Sequence, residues 1–146
     1  MSEPIFKHYT PVKVRYADLD TMRHVNNATY MSYTEEARIG YCRDVLGWDG
    51  DLERLDMLLA RFEIDYLTPV FLFDSIGIYT RCSRLGNKSF DFEYRFVRHE
   101  TDGKETLVAR GKTVLVAFSM SENRPIPLPE AFRKAFVAYE PSPIAQ

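Results

Sequence analysis

Two carboxylates, a histidine and two asparagines gather in the stretch Tyr16-Ala-Asp-Leu-Asp20-Thr-Met-Arg-His24-Val-Asn-Asn27-Ala-Thr-Tyr30. A carboxylate in such company can deprotonate a water or attack an electrophilic carbon directly. The stretch ends where an amphipathic helix begins. The N-terminus of a helix offers unpaired backbone N–H groups and about half a positive charge. Such donors polarise a carbonyl and stabilise the oxyanion formed on attack; one well-placed donor contributes about 3 kcal/mol in the transition state. Loops that enter helices are also rich in Asp, Asn and Thr simply because these residues turn and cap. On spacing alone, the catalytic and the architectural readings both stand.

The elements that must position this stretch follow from periodicity. Val12, Val14 and Tyr16 alternate with Lys13 and Arg15, which predicts a half-buried first strand. From Ala28 to Leu46, Tyr30, Tyr33, Ala37, Tyr41 and Val45 recur at spacings of three and four, one stripe of a helix. Asn26 or Asn27 can cap its first turn, and Gly47 stands where a helix ends. Four strands follow: Ala60 to Tyr66, Ile76 to Cys82, Phe90 to Phe96, and Thr106 to Phe118. A turn at Leu85–Lys88 and the Asp102-Gly103 hairpin signal separate the last three. Pro125, Pro127 and Pro129 give an extended segment before a short helix, Glu130 to Val137. The expected class is α+β, with a long central helix wrapped by a twisted antiparallel sheet of about five strands. One helix leaves some apolar sheet surface or an edge uncovered, which predicts a dimer. Residues 1–140 form the single expected domain. Residues 141–146, with two prolines just after Glu140, are expected to be a loose tail.

The pattern Asp18-x-Asp20-x-x-x-His24-Val-Asn-Asn27-x-x-Tyr30, continued by Tyr33-x-Glu35-Glu36-Ala-Arg38, resembles the signature of the 4-hydroxybenzoyl-CoA thioesterase family. The order of elements from residue 10 to about 118 is similar to that family's hotdog fold. The resemblance implies hydrolysis of an acyl-coenzyme A to a carboxylic acid and free coenzyme A. It implies Asp20 as the catalytic carboxylate, acting as general base or as nucleophile. Asn27, Ala28, Thr29 and Tyr30 match the helix start whose N–H groups hold the thioester oxygen. His24 lines the pocket or hydrogen-bonds the loop. Lys88 and Ser89 resemble the place where members contact the coenzyme A phosphates, where a lysine is a natural counter-charge and Arg84 can assist. Thr68, with neighbouring Tyr66, falls in the pocket that the family completes with a second subunit. A homodimer, and beyond it a homotetramer, is implied. The family commonly carries glycine before the histidine; Arg23 here sets a cation at the pocket mouth.

Asp18 reads as a structural turn residue. Glu35 and Glu36 correspond to the helix carboxylate that another branch of hotdog thioesterases uses, but they lie more than a turn inside the helix and Arg38 is close enough to pair with one. A non-catalytic acyl-CoA-binding module of the same fold is the alternative function; Asp20 argues against it. No metal or redox cofactor is expected, since His8, His24 and His99 are scattered and the two cysteines lack C-x-x-C spacing. No G-x-S-x-G elbow or phosphate-loop sequence occurs. A formal charge of −2 over 146 residues argues against a nucleic-acid partner. No run approaches the length of a membrane span, and Met1–Pro11 shows no signal-peptide character. Two isolated cysteines make a reducing cytoplasm the expected location.

Overall fold

The computed structural model describes residues 2–51 and 56–146. The chain runs β1 (His8–Lys13), a single 3-10 turn (Tyr16–Asp18), α1 (Thr29–Leu46), β2 (Met57–Tyr66), β3 (Ser75–Leu85), β4 (Ser89–His99), β5 (Glu105–Ser119), the two-residue β6 (Arg124–Pro125) and α2 (Glu130–Tyr139). The strands form one antiparallel sheet in the order β1-β3-β4-β5-β2, with β6 added to β5. The fold is therefore α+β, one long helix set against an antiparallel sheet, as the residue periodicities require.

The core is aromatic. Strand alternation turns Phe90, Phe92, Tyr94 and Phe96 of β4 to the inner face, and all four are buried. The helical stripe Tyr30, Tyr33, Ala37 and Tyr41 is buried against them. Tyr30 meets Phe96 at a ring-centroid distance of 5.4 Å and Tyr41 meets Phe92 at 4.8 Å. Each large apolar side chain taken fully out of water contributes about 1.5–3 kcal/mol. Gly47 ends α1 in the left-handed region, φ 70°, and the N–H groups of Gly47 and Trp48 both donate to the Cys42 carbonyl.

Two expectations need correction. The first strand does not run on to Tyr16; its pairing with β3 stops at Lys13. The cause is Asp18, whose carboxylate is buried and must be satisfied. It accepts the Arg15 backbone N–H at 2.9 Å, the Arg15 guanidinium at 2.9 Å and the Tyr33 hydroxyl at 2.7 Å. These bonds fold Tyr16–Asp18 into a turn and leave Tyr16 in solvent. The closing residues, expected to be loose, lie along β3. Ala145 donates to the Ser83 carbonyl and accepts from the Leu85 N–H, and Ile144 packs against the core. The prolines remove their own donors, but Ala145 lies beyond them and keeps both backbone groups.

That corner is also sealed by Glu140. Its carboxylate accepts the Tyr41 hydroxyl at 2.7 Å and the Cys82 N–H at 3.3 Å, where β1 no longer covers β3. At the other side of the sheet, β2 pairs with β5, and Leu58, Leu59, Tyr66 and the following Leu67, Phe71 and Phe73 are exposed. Phe73 is held outward with φ 75°, a conformation bulky residues rarely adopt.

Burial pushes the Glu140 carboxyl upward, against the opposing pull of Tyr41, the Cys82 amide, Arg81 and His8. A carboxyl raised in the folded state stabilises most below the ordinary carboxylate range and loses that contribution as pH rises through its raised value. Glu140→Gln keeps an acceptor oxygen but cannot ionise. In thermal melts from pH 4 to 8, its Tm should gain on the wild type as pH rises; a constant offset across the range would reject this account. Removing one hydrogen bond from the buried Asp18 by Tyr33→Phe should cost about 1.5–3 kcal/mol in urea unfolding at pH 7. A loss near zero would show that the Tyr33 bond does not hold the turn.

Candidate active site

Asp18 organises the loop that follows it. Burial pushes its carboxyl upward, but the hydrogen bonds from Arg15 and Tyr33 outweigh this and hold it below the ordinary carboxylate range. The Asp18 carbonyl accepts the Asn26 N–H at 2.9 Å, and Val25 donates to the Val70 carbonyl at 2.8 Å. Leu19 and Val25 form a bridge, and between them the chain makes a tight excursion carrying Asp20 and His24. Asp20 donates its N–H to the His24 carbonyl, and Arg23 donates back to the Asp20 carbonyl at 3.0 Å. Arg23 closes this turn in the left-handed region, φ 67°, where glycine would sit without strain. Its side chain is exposed.

The Asp20 carboxylate is thereby aimed. Oδ1 accepts the Met22 N–H at 2.9 Å and lies 3.9 Å from His24 Nδ1. Its other oxygen carries no donor among the described residues. The side chain keeps 26% of its exposure, so it is partly desolvated yet reachable. His24 turns Nδ1 toward the Val25 carbonyl at 3.2 Å, so the imidazole braces the loop while remaining 31% exposed.

The helix start has its own order of occupancy. Asn26 Oδ1 accepts the Ala28 N–H at 2.8 Å, and the Asn26 carbonyl accepts the Thr29 N–H at 2.9 Å. Asn26, rather than Asn27, is thus the residue that prepares the first turn. The Tyr30 N–H reaches the Asn27 carbonyl at 3.4 Å, and that carbonyl also accepts the Tyr66 hydroxyl at 2.7 Å. Among the described residues, the Asn27 N–H has no acceptor. Of the four residues Asn27–Tyr30 singled out by sequence, Asn27 therefore holds the uncommitted donor. The Tyr30 ring is buried among Tyr33, Tyr66 and Phe96, and burial pushes its hydroxyl up to about 12, which makes it wall rather than acid or base.

Thr68 belongs to the same end of the molecule; its N–H donates to the Val108 carbonyl, two residues before the Val70 carbonyl that holds the loop. Lys88 and Ser89 do not. Ser89 begins β4, while Phe96, which touches Tyr30, lies seven residues further along it. At about 3.3 Å per residue, the two ends are on the order of 23 Å apart. Within one chain, Lys88 and Asp20 occupy opposite ends of the sheet. Arg84 is committed to Ser89 Oγ and to Asp91, both at 2.8 Å. Glu35 and Glu36 are exposed, and Arg38 reaches inward to the Tyr94 hydroxyl at 3.5 Å instead of pairing with either.

Two open grooves of about 500 and 530 Å³ lie on the outer face of the sheet, among Phe6, Arg95 and Arg110. They are across the sheet from the helix and carry none of the loop groups. A smaller one, about 320 Å³, runs beside Arg15, Asp18, Tyr33 and Glu36. Among the described residues, no three His, Cys, Asp or Glu side chains cluster as metal ligands. No described helix is long and apolar enough to cross a membrane. What the sequence did not reveal is the donor set around Asp18, although the Arg15–Asp18 spacing was visible, and the contact of Arg133 with the Gly86 and Asn87 carbonyls, which no local pattern announces.

Known proteins resemble this chain in sequence and fold. The acyl-CoA thioesterase YbgC of Haemophilus influenzae is 28% identical over 130 residues, covering 86% of this chain and 91% of its own. The long-chain acyl-CoA thioesterase FadM of Escherichia coli is 34% identical over 91 residues, 55% of this chain; the match spans only 61% of FadM's own length. A Thermus thermophilus thioesterase, solved with coenzyme A and zinc, superposes with a TM-score of 0.80 at 38% identity, over 93% of this chain and 96% of that one. Because residues 14–136 match the model of the Thioesterase-like superfamily, with the Asp20 loop and the start of α1 inside the matched span, the chain belongs to that superfamily.

Proposed function

We propose that this protein hydrolyses an acyl-coenzyme A thioester to a carboxylic acid and free coenzyme A, with Asp20 as the catalytic carboxylate. The observation that carries the reading is the Asp20 side chain, pinned by the Met22 N–H through one oxygen, in the loop that ends at the uncommitted Asn27 N–H. The names of YbgC and FadM, and the coenzyme A held by the Thermus thermophilus neighbour, support the substrate class.

In this reading the thioester carbonyl oxygen accepts the Asn27 N–H at the electropositive head of α1. As the carbonyl carbon becomes tetrahedral, negative charge grows on that oxygen, and the donor stabilises it more than it stabilised the ground state. Asp20 then takes one of two paths. As general base it removes a proton from water as the water attacks, and the proton passes to the departing thiolate. As nucleophile it attacks the carbon itself, expels the thiolate and leaves an anhydride that water hydrolyses. Either path uses the Asp20 carboxylate, the Asn27 N–H and one water.

The same reading calls for a homodimer built on the exposed edge of β2. Two β2 strands paired antiparallel about a two-fold axis set the Tyr66 end of one chain beside the Met57 end of the other. Lys88 lies at the Met57 end, because its carbonyl accepts the Ala117 N–H and Ala117 pairs with Met57. The partner subunit's Lys88 would thus share an end with this chain's Asp20, where it could meet the phosphates of a coenzyme A whose thioester lies at Asn27. A pair of such dimers gives the tetramer. Buried single thiols at Cys42 and Cys82 suit a reducing cytoplasm.

Release of thiol from a panel of aliphatic and aromatic acyl-CoAs tests the chemistry. Asp20→Asn should lower kcat at least 100-fold while leaving acyl-CoA binding measurable. Turnover that survives the substitution removes Asp20 from the mechanism, and saturable binding without turnover by the wild type favours the binding-module alternative. Sedimentation should give two or four times the chain mass, and Leu59→Lys on the β2 edge should shift it toward the single chain with loss of activity. A fully active monomer would refute the shared site.

A further inference from the structure

The turn between β3 and β4 is held from outside in an unusual way. Arg133 Nη2, from α2, donates to both the Gly86 and the Asn87 carbonyls, the second at 3.2 Å. The Asn87 carbonyl also accepts the Leu128 N–H at 2.9 Å, and the Lys88 carbonyl accepts the Ala117 N–H at 2.8 Å. Every carbonyl from Gly86 to Lys88 is therefore drawn to a donor outside the turn.

The consequence follows from peptide geometry. In a planar trans peptide, the carbonyl oxygen of one residue and the N–H of the next point to opposite sides. The Gly86 and Asn87 carbonyls converge on a single guanidinium nitrogen. The N–H groups of Asn87 and Lys88 must then point together, away from Arg133. Both residues are exposed, and among the described residues neither N–H has an acceptor. Successive N–H groups aimed the same way form a concave seat for an anion. The Lys88 ammonium adds a mobile positive charge beside it. The Gly86 N–H, by contrast, is spent on the Ser89 carbonyl at 2.7 Å, so the seat has two backbone donors rather than three.

We propose that Arg133 is a positioning residue, which holds the Gly86 and Asn87 carbonyls aside so that the Asn87 and Lys88 amides form a two-donor seat for a phosphate group of coenzyme A. The assignment rests on the acyl-CoA reading above and deepens it: α2 becomes the part of the chain that shapes the phosphate end of the site. Arg133 Nη2 is engaged by those two carbonyl oxygens, so the role assigned to it is to position them.

The test compares substrates with and without phosphate. An acyl-CoA that the wild type turns over is paired with the N-acetylcysteamine thioester of the same acyl group. Arg133→Met should lower the ratio of kcat/KM between the two esters about tenfold, through the KM of the CoA ester, which is the scale of losing an aligned donor to a charged group. Arg133→Lys, which returns donors to the carbonyls, should recover part of the ratio. In calorimetric titrations, free coenzyme A should weaken by a similar factor and pantetheine should not. An unchanged ratio overturns the proposal, and so does an equal loss on both esters, the result expected of a residue that merely props the fold. Should the Met variant fail to fold, Arg133→Lys carries the comparison, with an unchanged ratio and unchanged coenzyme A affinity overturning the proposal. If the wild type turns over no acyl-CoA, the hydrolase reading fails, while the coenzyme A and pantetheine titrations still decide the seat.

Discussion

A carboxylate cannot be buried without donors, and Asp18 is buried. Its three donors come from two places: Arg15 supplies a backbone N–H and a guanidinium, and Tyr33 supplies a hydroxyl from the second turn of α1. Satisfying that one charge ties the end of β1 to the central helix and dictates the path between them. The Asn26 and Val25 amides close the same loop onto Asp18 and Val70. Only the excursion from Asp20 to His24 is left to project, and it projects at the head of α1. The geometry of the Asp20 loop is thus downstream of a purely structural ion two residues before Asp20.

The second organising feature is the unequal treatment of the sheet's two sides. On the β1 side the chain supplies its own cover. Where β1 ends, the Glu140 carboxylate takes the Cys82 N–H that β1 leaves unpaired, and Ala145 continues the pairing along β3. On the β2 side no such segment is seen among the described residues, and Leu58, Leu59 and Tyr66 face outward. A long edge with apolar side chains invites pairing with another strand. In the homodimer proposed above, antiparallel pairing of β2 with itself would satisfy both edges at once. The same operation juxtaposes ends of the molecule that one chain keeps on the order of 23 Å apart.

Helix α2 does more than pack: it also contacts the β3–β4 turn. It buries Phe136 in the core, and Glu140 at its end anchors it to Tyr41 and β3. From that fixed base, Arg133 reaches the β3–β4 turn. In the proposed site, α1 would present the donor for the carbonyl at one end and α2 would organise the turn at the other, the span that a ligand as long as coenzyme A requires.

Much of this was legible in residue order. The aromatic alternation of Phe90 to Phe96 and the stripe Tyr30, Tyr33, Ala37, Tyr41 determined which faces are buried, because burial periodicity is local and survives any tertiary arrangement. The gathering of Asp18, Asp20, His24 and Asn27 before a helix identified the loop, since a loop entering a helix brings its residues to that helix's head. Residue order could not say which carboxylate would be structural by contact, which asparagine would prepare the helix, or that Arg84 is taken by Asp91. Nor could it show that the stretch after Glu140, despite its prolines, returns to β3. Those outcomes depend on which donors meet across long stretches of chain: Tyr33 on Asp18, Tyr66 on Asn27, Arg133 on Gly86 and Asn87. Hydrogen-bond pairing at a distance leaves no period in the sequence, and only the folded chain decides it.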